Sequence, residues 1–229
     1  MIKFDGFTPD VFSFFADLEM NNDRPWFQRN KQRYASSVRD PLLALLDELE
    51  SEFGSAKVFR IQRDTRFSAD KSPYKVNQGA IIDRGARGSL YVSIDANAVA
   101  IGMGMPGFDR DQLERYRAAV AGDAGADLDA VVRSLRRWGA TVGTISGTAT
   151  VEGTDLKRVP KPYAPDHPRA WYLKLKALVA VREWEQPDWL FSRSAVKQLR
   201  DTWRHFGALE AWLETNVGPP NPALNRRFG

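Results

Sequence analysis

The sequence predicts an α+β fold, in which a central antiparallel sheet (a meander) is packed by helices from the N-terminal, middle and C-terminal parts of the chain. Residues 1–55 carry apolar side chains at helical spacing, and residues 57–103 change to short runs separated by glycine-rich turns. Helical patterns return after residue 108. Since the connections between the predicted strands are too short for a crossover, neighbouring strands must be antiparallel.

Three helix starts are visible in the N-terminal part. Thr8-Pro9, Asp23-Arg24-Pro25 and Asp40-Pro41 each place a capping side chain before a proline, which is typical of the first turn of a helix. The third predicted helix runs to Gly54, a residue suited to the end of a helix. We therefore expect residues 1–55 to be helical.

The next part, residues 56–108, has the patterns of a strand meander. A first strand is predicted over 57–63, and the next three are predicted over 79–83, 89–95 and 98–103. The glycines at 102, 104 and 107 around Pro106 are expected to end the meander in a loop.

The remainder, residues 109–229, is expected to hold helices and one additional strand. Helices are predicted over 109–121 and 128–138, a strand over 177–185, and one long amphipathic helix over 196–213. No repeat or linker divides the chain, so the sequence predicts a single α+β domain over residues 1–229.

Composition limits the class of protein. The chain has 229 residues, 43% of them hydrophobic, which is enough for a sizeable core. The absence of cysteine excludes disulfides and thiolate chemistry. Neither a secretory leader nor an apolar run of membrane-spanning length is visible, so we expect a cytoplasmic protein without a membrane partner.

The positive charge of the chain is concentrated in one place. The net charge is +4, and residues 57–75 account for all of it. That stretch sets six cations against Asp64 and Asp70, the cations being Lys57, Arg60, Arg63, Arg66, Lys71 and Lys75. A local excess favours an anion-binding spot over a nucleic-acid surface, on which cations usually spread along a whole face.

The stretch 63–75 is the predicted functional site. Arginine offers a planar pair of donors to a carboxylate or phosphate, lysine a compact cation, and serine hydroxyls can complete an anion site. The ligand-binding candidates are Arg63, Asp64, Arg66, Ser68, Asp70, Lys71, Tyr74 and Lys75. The sequence thus predicts binding of a small phosphate- or carboxylate-bearing ligand.

An enzyme that acts on this ligand is a further hypothesis. In that case Arg63, Arg66 and Lys71 would stabilise developing negative charge, and Asp64 or Asp70 would serve as base or metal ligand. The sequence identifies neither a catalytic residue nor a cofactor, and it does not indicate an oligomeric state.

Two other interpretations stay open. The stretch could be a purely structural network in which Asp64 and Asp70 pair with Arg66 and Lys71. It could also belong to a non-catalytic module that binds nucleic acid or a protein, although the internal carboxylates make nucleic acid less expected.

Nearby aromatic residues also have two interpretations. Tyr74 either stacks on a ligand or faces the core. Of the adjacent Trp26 and Phe27, one is expected in the core, and the other could line the same cleft with Asn22, Arg24 and Asn30.

Several familiar motifs are missing. The two histidines, His167 and His205, are far apart and give no metal-binding spacing. His167, in Asp-His-Pro, is either a general base or a residue of a loop or helix start. The glycines at 102–107 do not form a dinucleotide fingerprint, and neither a Walker sequence nor Gly-x-Ser-x-Gly occurs.

Residues 63–75 match the pattern Arg-Asp-x-Arg-Phe-Ser-x-Asp-Lys-x-Pro-Tyr-Lys at every fixed position. With this pattern the chain resembles a widespread family of uncharacterised bacterial and fungal proteins, a domain-of-unknown-function family. Further similar segments are Asn21-Asn22 with Trp26-Phe27, Gly102-Met103-Gly104, and residues 157–168. The resemblance implies an α+β fold with an antiparallel sheet and implies no particular reaction.

Overall fold

The computed structural model describes residues 3–64, 66, 70–146, 150–151 and 155–221. Over these residues the protein contains a six-stranded antiparallel sheet and a two-stranded ribbon, with helices before, between and after the strands. The predicted α+β fold class is therefore confirmed. Within the same described ranges, no helix combines the length and the apolar character needed to cross a membrane.

The strands follow one another along the sheet with a single change of order. The sheet order is β1-β2-β3-β4-β8-β5, and β6 pairs with β7 in the separate ribbon. Strand bounds are β1 Lys57–Val58, β2 Asn77–Asp83, β3 Ser89–Asp95, β4 Ala98–Met105, β5 Thr141–Gly143, β6 Ile145–Ser146, β7 Thr150–Val151 and β8 Leu178–Glu185.

The helical N-terminal part begins with α1 (Asp10–Met20) and α2 (Arg24–Tyr34). The Asp23 carboxylate accepts the Trp26 N–H at 2.7 Å, and Pro25 lies in the first turn of α2. This is the cap that the sequence predicts.

The helix predicted from residue 40 to 54 is wrong in its bounds. Helix α2 continues through a π-helical segment (Ala35–Arg39) into α3 (Asp40–Asp47), and a short α4 (Glu50–Phe53) precedes Gly54. A proline inside a helix clashes with the preceding turn, and the wider π turn just before Pro41 accommodates it.

The first predicted strand is also shorter than expected. Only β1 pairs continuously with β2, in the register Lys57↔Ile81 and Val58↔Ala80. Just after β1, the buried Gln78 side chain donates to the Phe59 carbonyl at 2.8 Å. In a regular antiparallel ladder, a backbone N–H of the neighbouring strand would donate to this carbonyl. Pairing therefore stops, and residues 60–63 leave the edge of β2.

The strand predicted over 98–103 extends to Met105, so Gly102 and Gly104 lie inside β4 rather than in the loop expected at the end of the meander. Gly104 has φ +150°, and a Cβ there would lie 2.2 Å from the Leu178 carbonyl oxygen of β8. A glycine is required because the neighbouring backbone comes this close.

The chain divides into two compact units. The first comprises Met1–Asp83, Tyr91–Ile101 and Glu183–Thr202. Its fully buried side chains come from α1, α3 and one face of β2 and β3, among them Phe14, Phe15, Leu18, Leu42, Leu45, Ile82 and Ile94.

The second unit comprises Arg84–Leu90, Gly102–Arg182 and Trp203–Gly229. It holds α5 (Arg110–Ala121), α6 (Ala124–Arg137), α7 (Ala170–Leu173) and α9 (Gly207–Asn216). Its buried core includes Tyr116, Val120, Leu128, Leu173, Phe206 and Leu209.

The long C-terminal helix predicted over 196–213 is interrupted. Helix α8 spans Ser194–His205, and α9 begins at Gly207 after a tight turn in which the Leu209 N–H donates to the Phe206 carbonyl at 2.9 Å. Gly207 weakens the helix at this point, since glycine is unfavourable in a helix interior. The prediction missed the break because the apolar pattern continues from α8 into α9.

Candidate functional site

The stretch 63–75 is attached to the first unit by a short two-stranded neck, which consists of residues 61–63 and 73–75. The Arg63 N–H donates to the Pro73 carbonyl at 2.9 Å, and the Lys75 N–H donates to the Ile61 carbonyl at 2.8 Å. Between these bonds, Gln62 and Tyr74 form an antiparallel bridge. The ends of the segment 64–72 are therefore held together.

Asn22, in the turn between α1 and α2, fixes the neck from the side. Its amide donates to the Tyr74 carbonyl at 2.9 Å, and its side-chain oxygen accepts the Tyr74 N–H at 3.1 Å. One side chain thus satisfies both backbone groups of a residue 52 positions away.

Tyr74 faces the core. Its ring stacks on Phe27 of α2, with the ring centroids 4.0 Å apart and the planes at 16°. Both residues are buried, Tyr74 with 5% of its surface exposed. Of the two adjacent aromatics, Phe27 is the core residue, and Trp26 is half-buried beside Phe14.

Beside the neck lies an open cavity of about 350 Å³, which we call the motif cavity. It is lined by Arg24, Gln62, Arg63, Lys71, Pro73 and Tyr74. Three of these six side chains are cations, contributed by the first turn of α2, the neck and the segment 64–72. The cavity therefore has a positively charged wall.

Arg63 is the most enclosed of the three cations. Its side chain is 20% exposed, and its Nη2 lies 3.1 Å from Asp70 Oδ2. Its Nε is buried and meets no hydrogen-bond acceptor within the described part of the chain. A buried donor left in this state is uncommon in folded proteins and calls for an explanation.

Asp70 stays a carboxylate in this arrangement. The Ser72 N–H donates to Asp70 Oδ1 at 2.9 Å. This backbone hydrogen bond is the main cause of a lowered Asp70 pKa, with hydrogen bonding by the Ser72 side chain and the charge of Arg63 acting in the same direction. Asp70 is therefore negatively charged at neutral pH and is a weak base.

Asp64 and Arg66 form a second pair, fully at the surface. Arg66 Nη2 lies 2.7 Å from Asp64 Oδ2, with the side chains 77% and 59% exposed. The hydrogen bond from Arg66 lowers the Asp64 pKa, so Asp64 is also a weak base. The pairing of Asp64 with Arg66 matches the structural interpretation of the motif.

The remaining predicted residues lie elsewhere. Lys75 places its ammonium 5.6 Å from the centre of the Phe59 ring rather than in the cavity lining. Ser68 lies outside the described residues. Asn30 donates to the Trp26 carbonyl of its own helix at 3.0 Å.

Sequence reasoning did not name Gln62 and Pro73 as ligand-binding candidates, although Pro73 lies inside the predicted stretch. Both line the cavity, from opposite sides of the neck. Neither side chain has a charge, so the excess of cations gave no reason to select them.

The described residues include no group of three or more histidine or carboxylate side chains that could hold a metal ion. His167 Nδ1 accepts the Arg169 N–H at 3.0 Å. This local bond just before α7 is the arrangement expected of a histidine in a loop or at a helix start.

Comparisons with known proteins give a family. The model of a family described as "Conserved hypothetical protein (DUF2461)" matches residues 10–212. The chain belongs to DUF2461. The expectation that it is a member of a family of uncharacterised proteins is confirmed, while the assignment of the 63–75 pattern as the signature of DUF2461 stays a prediction.

Comparison of structures adds an uncharacterised neighbour to this DUF2461 chain. An uncharacterised protein from Methanothermobacter thermautotrophicus, known from a crystal structure, is similar with 12% sequence identity and a TM-score of 0.42. The similarity covers 79% of this chain and 99% of the other. A search of curated proteins finds no significant match to the sequence.

Proposed function

We propose that this protein binds a small ligand carrying a phosphate or carboxylate group in the motif cavity. The observation that carries the proposal is the buried Nε of Arg63, which meets no acceptor among the described residues. Its neighbour Nη2 contacts Asp70, so the Nε–Nη2 edge of the guanidinium is only half used. An oxyanion is the partner that this edge accepts best.

The surrounding charges support the same conclusion. Arg24 and Lys71 line the cavity together with Arg63, and both are exposed. The surface pair Asp64–Arg66 is balanced within itself. A ligand anion in the cavity would therefore meet several cations.

The proposal is for a binding site, and catalysis is a separate hypothesis. A general base works best when its pKa lies near the working pH, and the pKa values of Asp64 and Asp70 are both lowered. An enzyme that uses this cavity would act through electrostatic stabilisation by Arg63 and Lys71 rather than through these carboxylates.

A structural role for the motif is the competing candidate. The ion pairs Arg63–Asp70 and Arg66–Asp64 and the contact of Asn22 with Tyr74 favour it, because all three connect residues of the protein to each other. This candidate predicts that changes in the motif alter stability and leave anion binding unaffected.

Calorimetric titration with inorganic phosphate and with citrate, each compared with sodium chloride at equal ionic strength, tests the proposal. We expect saturable binding, weakened about fivefold to tenfold by Arg24→Gln, which removes one exposed charge-assisted contact. The matched control is Arg29→Gln, the same change at an exposed position of the same helix, and it should bind as the wild type does.

Two results would contradict the proposal. One is the absence of binding to either anion, and the other is equal affinity in the Arg24→Gln, Lys71→Gln and wild-type proteins. A nucleic-acid module would show retention of oligonucleotides that falls steeply as salt increases. A pocket for one small anion should respond to salt only modestly.

A further inference from the structure

A second cavity lies on the first unit, between α1, the turn that follows β3 and the segment 186–191 that follows β8. Its volume is about 450 Å³, and we call it the aromatic cavity. Its apolar lining includes Pro9, Phe12, Ala16 and Phe191. The rings of Phe12 and Phe191 meet edge to face, with their centroids 6.0 Å apart and their planes at 88°. A cavity that is mostly apolar and has a few polar groups is the usual form of a small-molecule site.

The polar groups of this lining can all accept a hydrogen bond. They are the Ser13 hydroxyl, the Gln186 amide and the Asp188 carboxylate. Among the described residues that line the cavity there is no lysine, arginine or histidine. A cation in the cavity would therefore be attracted by Asp188, and an anion would be repelled.

Asp188 differs from the carboxylates of the neighbouring helix. On α1, Asp10 and Asp17 are both paired with Arg33, at 2.6 and 2.7 Å. Asp188 lies at the start of the short turn Asp188–Phe191 and has neither an ion pair nor a hydrogen bond within the described part of the chain. Its charge is therefore available to a ligand.

Gln186 has an uncommon backbone conformation in the wall of the cavity. Its φ is +35°, in the left-handed region that residues other than glycine rarely adopt. Its backbone N–H donates to the Asn97 carbonyl at 3.2 Å, and its Nε2 donates to the Ala96 carbonyl at 2.9 Å. The side-chain oxygen meets no donor among the described residues. Residues in such conformations are concentrated at ligand sites.

We infer that the aromatic cavity binds a small primary amine with an aromatic body, as its ammonium ion. An ammonium has three donors and no acceptor, which suits the acceptors of Ser13, Gln186 and Asp188. The rings of Phe12 and Phe191 offer a surface to the aromatic body, and an aromatic face also attracts a nearby cation. The aromatic cavity shares no lining residue with the motif cavity, so this inference goes beyond the proposed function.

Calorimetric titration at neutral pH with three probes tests the class of ligand. Phenethylamine carries both the ring and the ammonium, hydrocinnamate keeps the ring and has a carboxylate instead, and ethylamine keeps the ammonium without the ring. Alkylammonium groups and carboxylates are both charged at this pH. We expect saturable binding of phenethylamine, and binding of the other two that is about tenfold weaker or less, since each lacks either the charge contact or the buried ring.

Two substitutions test the location of the site. Asp188→Asn should weaken phenethylamine binding about twofold to fivefold, the range for one exposed charge contact, while Asp47→Asn, the same change at an exposed position of α3, should not. Ala16→Leu enlarges a side chain of the cavity wall at an exposed helix position and should abolish saturable binding. Its control is Ala118→Leu, at an exposed position of α5, which should bind as the wild type does.

The opposite results are equally clear. Hydrocinnamate binding as tight as that of phenethylamine would overturn the choice of a cation, and ethylamine binding as tight would overturn the role of the rings. The absence of saturable phenethylamine binding, or binding that is unchanged in either Asp188→Asn or Ala16→Leu, would overturn the site. These outcomes leave the proposed function untouched, because its probes are phosphate and citrate and its variant, Arg24→Gln, should bind phenethylamine as the wild type does.

Discussion

Asp70 has an unusual position for a residue of the proposed anion site, since its own carboxylate contacts Arg63. It lies 3.1 Å from Arg63 and accepts the Ser72 N–H through the other oxygen. The carboxylate orients the guanidinium, but it would also repel an incoming anion. The two effects have opposite signs, and a substitution can separate them.

Replacing Asp70 by asparagine should strengthen phosphate binding. Asparagine keeps an oxygen that can accept the Ser72 N–H, and it removes the negative charge. We expect the dissociation constant for inorganic phosphate to fall about twofold to fivefold, the range for one exposed charge contact, as measured by calorimetric titration. Asp64→Asn, at the carboxylate paired with Arg66, is the control and should change little. Weaker binding by Asp70→Asn would show that orientation of Arg63 dominates.

Asp10 illustrates how a single carboxylate makes stability depend on pH. Arg33 donates to both Asp10 oxygens at 2.9 Å, and this hydrogen bonding is the largest cause of the lowered Asp10 pKa, against the opposing effect of burial. Since the folded pKa lies below the unfolded value of about 3.9, the pair contributes its full stability above that pH. The contribution is lost as the pH falls through the folded pKa.

We therefore expect Asp10→Asn to lower the free energy of unfolding by about 1 kcal/mol at pH 7 and by less at pH 3, since the pair is partly exposed. Urea denaturation at the two pH values measures the difference. Asp47→Asn, at an exposed position of α3, should have little effect at either. An effect of Asp10→Asn that is equally large at pH 3 would contradict the assignment.

Asn22 makes the side-chain hydrogen bonds that connect the turn between α1 and α2 to the neck, beside the stacking of Phe27 on Tyr74. Replacing Asn22 by alanine leaves the Tyr74 N–H and carbonyl without their partner, and we expect a loss of about 1–3 kcal/mol of unfolding free energy. Hydrogen exchange of the Tyr74 amide should accelerate. Asn21→Ala is a matched control, because the neighbouring Asn21 is exposed and its amide bonds to the Asp17 carbonyl of its own helix. Faster exchange of Tyr74 in both variants would argue against a specific clamp.

The sequence predicts helices and strands well where the local signal is strong. Asp23 with Pro25 marks the start of α2 through capping, which depends only on near neighbours. The break at Phe206–Gly207 and the short β1 were missed. At the break after Phe206, the apolar pattern continues across the turn. At the end of β1, the Gln78 side chain, 19 residues from Phe59 in sequence, takes the Phe59 carbonyl as its acceptor.

The candidate site was likewise predictable only where the sequence has a local signal. The local excess of cations pointed to Arg63 and Lys71, which do line the cavity. Which cations converge is decided by the neck and by the contact between Asn22 and Tyr74, 52 residues apart. A single sequence contains no pattern that predicts the neck or the contact between Asn22 and Tyr74. The sequence therefore could not distinguish Arg66 and Lys75, which do not line the cavity, from Arg63 and Lys71, which do.

For the molecule as a whole, the number of cooperative folding units is the open prediction. Each compact unit is assembled from three separate segments of the chain, so neither could be excised as a continuous piece. We expect one unfolding transition in differential scanning calorimetry, with equal calorimetric and van't Hoff enthalpies. Two resolved transitions would contradict the single domain that the sequence predicts.

The neck has a consequence for how this protein can change over time. Because residues 61–63 and 73–75 are hydrogen-bonded to each other and Asn22 holds Tyr74, we expect the neck, rather than the segment that it closes, to fix where the chain enters β2. Substitutions at Asp70 or Lys71 should then change the proposed anion site while β2 keeps its register with β1. A site attached in this way can be altered in evolution without a new core.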